Sequence, residues 1–103
     1  MGDKQEPGAV TFTPSEDITA ANVDNTQAAL ERVMAGDTSE LTIDLCNVEM
    51  LDSSGVGFLI TTMNRLGQQR RALKVVNLSE DIYRMLSIMR LTQSFNATMR
   101  SQA

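Results

Sequence analysis

Met50-Leu51-Asp52-Ser53-Ser54-Gly55-Val56-Gly57 is the stretch on which the fold turns. On its N-terminal side, Leu41-Thr42-Ile43-Asp44-Leu45-Cys46 alternates apolar and polar residues and predicts a strand. On its C-terminal side, Val56, Leu59, Ile60, Met63 and Leu66 fall at helical spacing and predict a helix over 54–69. The stretch is therefore a strand-to-helix turn, with two serines where the helix begins. Unpaired backbone N–H groups and the positive end of the helix dipole gather at such a point. The place suits an anion, either bound or carried by a phosphorylated hydroxyl. The same residues equally suit a plain N-cap, with Gly55 and Gly57 admitting close helix–sheet packing. The common phosphate-binding and nucleophile-elbow glycine motifs are not matched.

Outward from the turn, the chain is of single-domain length, 103 residues. A hydrophobic fraction of 42% and a charged fraction of 21% are those of an ordinary globular protein. The net charge of −4, with no large basic block, argues against nucleic acid and anionic membranes as direct partners. There is no apolar run of membrane-spanning length and no signal-peptide pattern at residues 1–8, so a cytoplasmic location is expected. The single Cys46 forms no internal disulfide, and its place at a strand end predicts a buried, unreactive thiol. The absence of histidine removes the commonest catalytic base and the commonest metal ligand.

Val10-Thr11-Phe12-Thr13 predicts a first strand behind a loose polar tail at 1–9, and Pro14-Ser15-Glu16-Asp17 a loop. Thr19 is the expected cap of a helix running to about Ala35, with Gly36 as its C-cap. In the central helix, Phe58 lies opposite the apolar stripe. It is either an exposed partner-binding anchor or a residue packed on a neighbouring helix. Leu73-Lys74-Val75-Val76-Asn77 predicts a third strand. Ser79 caps a further helix, with Glu80 and Asp81 in its first turn and Ile82, Met85, Leu86 and Met89 as its core stripe. Phe95, Ala97 and Met99 alternate with polar residues and predict a closing strand of open direction. Most of the seven methionines sit at core spacing and are expected to fill the core.

The order predicts an α/β fold: a mixed, mostly parallel sheet of about four strands. The polar alternates Thr42, Asp44 and Lys74 indicate helices on one face only. In such a fold the loops that follow the strands gather at one end, which brings Asp17, Asp52, Ser53, Ser54 and Ser79 to one surface. There the two carboxylates either act as weak bases for Ser53 or bind a partner's cation.

The run Leu45-Cys46-Asn47-Val48-Glu49-Met50-Leu51-Asp52-Ser53-Ser54-Gly55-Val56-Gly57 resembles the signature of the STAS domain family, of sulphate transporters and anti-sigma factor antagonists. The likeness in element order extends over about residues 10–99, and implies one STAS domain over that span. In the antagonist branch, the first hydroxyl after the Asp is phosphorylated, which here is Ser53. The resemblance implies an anti-sigma factor with an ATP-binding serine-kinase fold as its kinase, and a metal-dependent serine phosphatase that reverses the step. It implies that the unphosphorylated form binds the anti-sigma factor and frees a sigma factor. Asp17 resembles the loop acid that flanks the site, and Asn77-Leu78-Ser79 a third adjoining loop. Many antagonists carry an extra N-terminal strand and a Gly-Glu-x-Asp loop; here the N-terminus is shorter and the loop reads Pro14-Ser15-Glu16-Asp17.

The function expected from the sequence is a non-enzymatic bacterial switch protein. Ser53 is its phosphoacceptor, and Asp17, Asp52, Ser54, Gly55, Val56, Phe58 and Ser79 form its partner surface. No cofactor or metal of its own is expected, since ATP belongs to the partner. The alternative is a cytoplasmic STAS subunit of an ABC-type lipid transporter. An enzyme or phosphate carrier using Ser53 lacks a histidine base or a nearby lysine.

Overall fold

The computed structural model describes residues 8–34 and 38–100. The elements run β1 (Ala9–Phe12), α1 (Val23–Val33), β2 (Glu40–Asp44), α2 (Ser53–Gln68), β3 (Ala72–Leu78), α3 (Glu80–Ile88) and β4 (Ala97–Met99). The strands pair in sequence order, β1-β2-β3-β4, and every pairing is parallel. The sheet is thus wholly parallel among the described residues, not mixed, and the closing strand takes the common direction. Each helix carries the chain one strand further in the same sense. Right-handed crossovers then place all three helices on one face. The burial pattern agrees: Leu41, Ile43, Leu45, Leu73 and Val75 are buried, while Thr42 and Asp44 are half-buried and Lys74 is exposed. On the open face Lys74 Nζ pairs with Glu40 Oε2 at 3.1 Å, across neighbouring strands. Exposed as both groups are, this contact adds little stability.

Under the helices the core is continuous. Phe12, Ile18, Leu30, Leu41, Ile43, Leu45, Leu59, Leu66, Leu78, Ile82, Leu86 and Phe95 are all buried in it. Phe58 also belongs there, at 4% exposure, so of its two readings the packed one holds and its place as an exposed partner-binding anchor is corrected. The reason lies in α1, which packs on α2. Phe58, Thr62 and Arg65 share one side of α2 at helical spacing. Arg65 on that side reaches α1, with NH1 2.7 Å from Glu31 Oε2. The central helix is therefore covered on two sides, by the sheet and by α1. Thr62, buried with Phe58, donates its hydroxyl to the Phe58 carbonyl at 2.8 Å and so leaves no orphan polar atom.

The methionines depart from expectation. Met34, Met63 and Met85 pack only partly against the core, while Met50, Met89 and Met99 are exposed. Cys46 is exposed as well, because the chain leaves β2 at Asp44 and turns there. Desolvation by neighbouring atoms and the adjacent Asp44 carboxylate push its thiol pKa upward, so it stays protonated. The first helix starts later than Thr19 would have it, at Val23 with Asn22 preceding. Residues 1–7 of the expected tail, and the expected helix end at Ala35 and Gly36, lie outside the described residues, whereas Ala9 is already in β1.

Truncating a buried aromatic removes its packing and leaves a cavity. Phe58→Ala should therefore cost about 3–5 kcal/mol in urea unfolding. A loss within about 0.5 kcal/mol would place the side chain on the surface after all.

Candidate functional site

Three loops meet at the C-terminal end of the sheet, as the topology requires, and side chains weld them together. Asp17, in the loop after β1, accepts from the Glu49 N–H at 2.7 Å and the Met50 N–H at 3.2 Å through Oδ1. Asp52, at the end of the loop after β2, accepts from the Ala20 N–H at 3.0 Å through Oδ2 and from the Gly55 N–H at 3.0 Å through Oδ1. Ser79, opening the loop after β3, donates its hydroxyl to the Glu49 carbonyl at 3.2 Å while accepting from the Ile82 N–H. Ile18 and Leu51 add a parallel bridge between the first two loops. The late start of α1 follows from these ties. With Ile18 and Ala20 held against the second loop, Thr19 and Asn22 close a local turn and Val23 opens the helix.

Asp52 is the N-cap of α2, with extended backbone, and Ser53 is the helix's first residue. Ser53 is exposed, and among the described residues its hydroxyl makes no side-chain hydrogen bond; Ser54 is half-buried. Gly55 is required: a Cβ there would collide with the Ile18 carbonyl oxygen and come within 3.0 Å of Leu51 Cδ2. Gly57 is not, because a Cβ there would meet nothing within 4 Å. Only the first glycine therefore serves close packing.

The N–H groups of Ala20 and then Gly55 hold the Asp52 carboxyl below the usual carboxylate range. It stays ionised at neutral pH with both oxygens on backbone donors. Neither its geometry nor that of Asp17 points an oxygen at Ser53 as a base. The surviving role for these acids is structural and electrostatic: they tie the loops and leave negative charge around the serine.

Of the residues expected on the partner surface, Asp17, Asp52, Ser53, Ser54 and Ser79 do lie at this end of the sheet. Gly55, Val56, Phe58 and Ser79 are buried, so they support the surface from below more than they form it. One residue escaped the sequence reading. Arg100, just past β4, donates from NH2 to the Leu45 carbonyl at 2.8 Å and the Val48 carbonyl at 2.7 Å. Its Nε bonds the Asn77 carbonyl at 2.9 Å, and NH1 pairs with Glu49 Oε2 at 2.9 Å. Glu49 thereby has its N–H, carbonyl and carboxylate held by Asp17, Ser79 and Arg100 respectively. No local pattern signals a contact between residues half a chain apart.

The family model for the STAS domain matches residues 3–102. The chain belongs to the STAS domain family, and its sheet, helices and serine-bearing turn are those of a single STAS domain. No curated protein is similar enough to the chain to match it. Among the described residues, no helix is long and apolar enough to cross a membrane, and no acidic or sulfur cluster is arranged to hold a metal ion.

Arg100→Ala should cost about 1–3 kcal/mol, because it strips a charged donor from buried-edge carbonyls. Its amide exchange should quicken at 48–50 and not in α1; uniform acceleration would deny the clamp a local role. For Asp52, the folded carboxyl binds its proton less tightly than the unfolded one. Its contribution to stability is full above the unfolded carboxylate pKa and is lost as pH falls through the lowered folded value. Acid titration of wild type against Asp52→Asn should show the variant less stable at neutral pH, with the gap closing below about pH 4. A gap that persists unchanged to pH 2 would assign the loss to something other than the charge.

Proposed function

We propose that this STAS domain is an anti-sigma factor antagonist in a partner-switching pathway, controlled by phosphorylation at Ser53. It binds a serine-kinase-type anti-sigma factor when Ser53 is unmodified and is released when that kinase phosphorylates it; a metal-dependent serine phosphatase restores binding. The observation that carries this reading is the exposed Ser53 hydroxyl on the first residue of α2, in a turn tied to both neighbouring loops.

That arrangement suits a switch that acts without refolding. A phosphate on Ser53 brings about −2 charge to the positive end of the helix dipole, which tolerates it. Beside it stands ionised Asp52, whose oxygens are already taken by Ala20 and Gly55 N–H groups. Two anions repel, so Asp52 adds to the new charge, and on exposed Ser53 that charge faces outward. A docked partner meets extra bulk and extra negative charge, and loses about 1–3 kcal/mol, a factor of roughly 5–150. The domain itself performs no chemistry in this scheme. ATP and the phosphotransfer machinery belong to the kinase, and the domain supplies the acceptor and the shape. It works in the cytoplasm and contacts neither nucleic acid nor membrane directly.

Ser53→Ala should bind the kinase constantly in the presence of ATP, and Ser53→Asp should bind it about 5–150-fold more weakly. Calorimetric titration of both variants checks this, and equal affinities would remove the switch. Phosphopeptide mass spectrometry of the native protein across growth states should find Ser53 occupancy that changes. A serine unmodified in every state, with the domain co-purifying with a transporter ATPase, would favour the transporter-subunit reading instead.

A further inference from the structure

Between the end of β2 and the start of α2 the chain has little burial to hold it. Of residues 46–53 only Val48 and Leu51 are buried, and the other six are exposed. Hydrogen bonds do here what packing does elsewhere. On one side, Asp17 takes the Glu49 and Met50 N–H groups and Asp52 takes that of Ala20. On the other side, the Ser79 hydroxyl takes the Glu49 carbonyl, and Arg100 is the only charged donor, among the described residues, that reaches the segment. Its NH2 bonds the Leu45 and Val48 carbonyls, at the two ends of a turn that the Val48 N–H closes on the Leu45 carbonyl. Its Nε bonds the Asn77 carbonyl near the end of β3. One guanidinium therefore fixes the segment against the next strand.

Satisfying lone acceptors does not account for this arrangement. The Leu45 carbonyl already has the Val48 N–H, and the Glu49 side chain is 69% exposed, where water serves its carboxylate. What the planar fork adds is relative position, since its donors point in fixed directions to several acceptors at once. We infer that Arg100 is a positioning residue for Ser53. It sets where the exposed run 46–53 stands relative to β3, and so how well a partner docks over the serine. None of its four hydrogen bonds goes to residues 50–54, so it acts through the main chain that leads into the turn. The partner meant is the kinase-type partner proposed above, and the assignment rests on that reading. It adds a determinant of affinity that lies outside the turn, just past the strand that closes the sheet.

Steady-state phosphorylation of the full chain by the purified serine-kinase-type anti-sigma factor, with ATP, tests the role through KM and kcat. Arg100→Ala should raise KM about 3–30-fold at unchanged kcat, because a displaced turn docks less well but reacts normally once docked. Arg100→Lys should do the same, because one ammonium keeps the charge but does not span Asn77 and the Leu45–Val48 turn together. It carries the test if Arg100→Ala does not fold. Arg65→Ala breaks the ion pair with Glu31 on the far side of α2 and should keep the wild-type KM. All variants are assayed well below their melting temperatures, where each is folded by circular dichroism, so unfolding does not enter KM. A wild-type KM in both Arg100 variants overturns the positioning role and leaves the switch standing. Recovery of the wild-type KM by Arg100→Lys alone also overturns it, because the charge and not the clamp is then what matters. An equal rise in Arg65→Ala assigns the effect to general stability and overturns it too. Wild type that is not phosphorylated on Ser53 overturns the switch itself, and the positioning role with it.

Discussion

Asp52 accepts one hydrogen bond from its own helix and one from a loop 32 residues away. That double use joins the first turn of α2 to the segment after β1. It can do so only because Gly55 lets the helix come down onto the Ile18 carbonyl. Replace either residue and this tie is lost: the glycine for steric reasons, the aspartate for want of its charged acceptor. The other ties at this end, Asp17 on residues 49 and 50 and Ser79 on the Glu49 carbonyl, reach the same segment from other directions. The exposed serine is thus carried by a frame fixed at several points. The ties run to loops on both sides, so the serine's position is fixed by the fold and not by its own loop alone.

The acids near the serine have a different part from the one their chemistry alone suggests. Two carboxylates beside a hydroxyl invite a general-base reading. Here both oxygens of Asp52 and Oδ1 of Asp17 accept from backbone N–H groups, and those on Asp52 hold it ionised. Their charge still matters, because it sets the field in which any phosphate would sit. Hydrogen bonding that makes an acid a poor base also makes it a dependable fixed charge.

Features encoded by neighbours along the chain were legible in the sequence. The strand-to-helix turn, the order of the elements and the Ser79 cap all follow from short-range periodicity and capping chemistry. The one-sided layering was also readable, from Thr42, Asp44 and Lys74. What escaped were consequences of distant contacts. Thr19 looks like a helix cap, but Asp52 takes the Ala20 N–H and the helix waits until Val23. Phe58 looks exposed on a helical wheel until α1 covers that side. Met89 has core spacing in α3 yet borders the gap that α2 and α3 leave between them. Arg100 has no local signature at all, since three of its acceptors lie in the segment after β2 and the fourth at the end of β3.

Arg100 also bears on the order in which the molecule comes into being. Its bonds to Leu45, Val48 and Glu49 span 51 to 55 residues. During synthesis the serine-bearing turn leaves the ribosome well before the residue that clamps it. A nascent or prematurely terminated chain can hold α1, β2 and α2 without holding this loop in its final shape. The surface a partner would inspect is completed only when translation has passed residue 100. The final shape of this loop thus depends on a residue made more than 50 residues after the first of its acceptors.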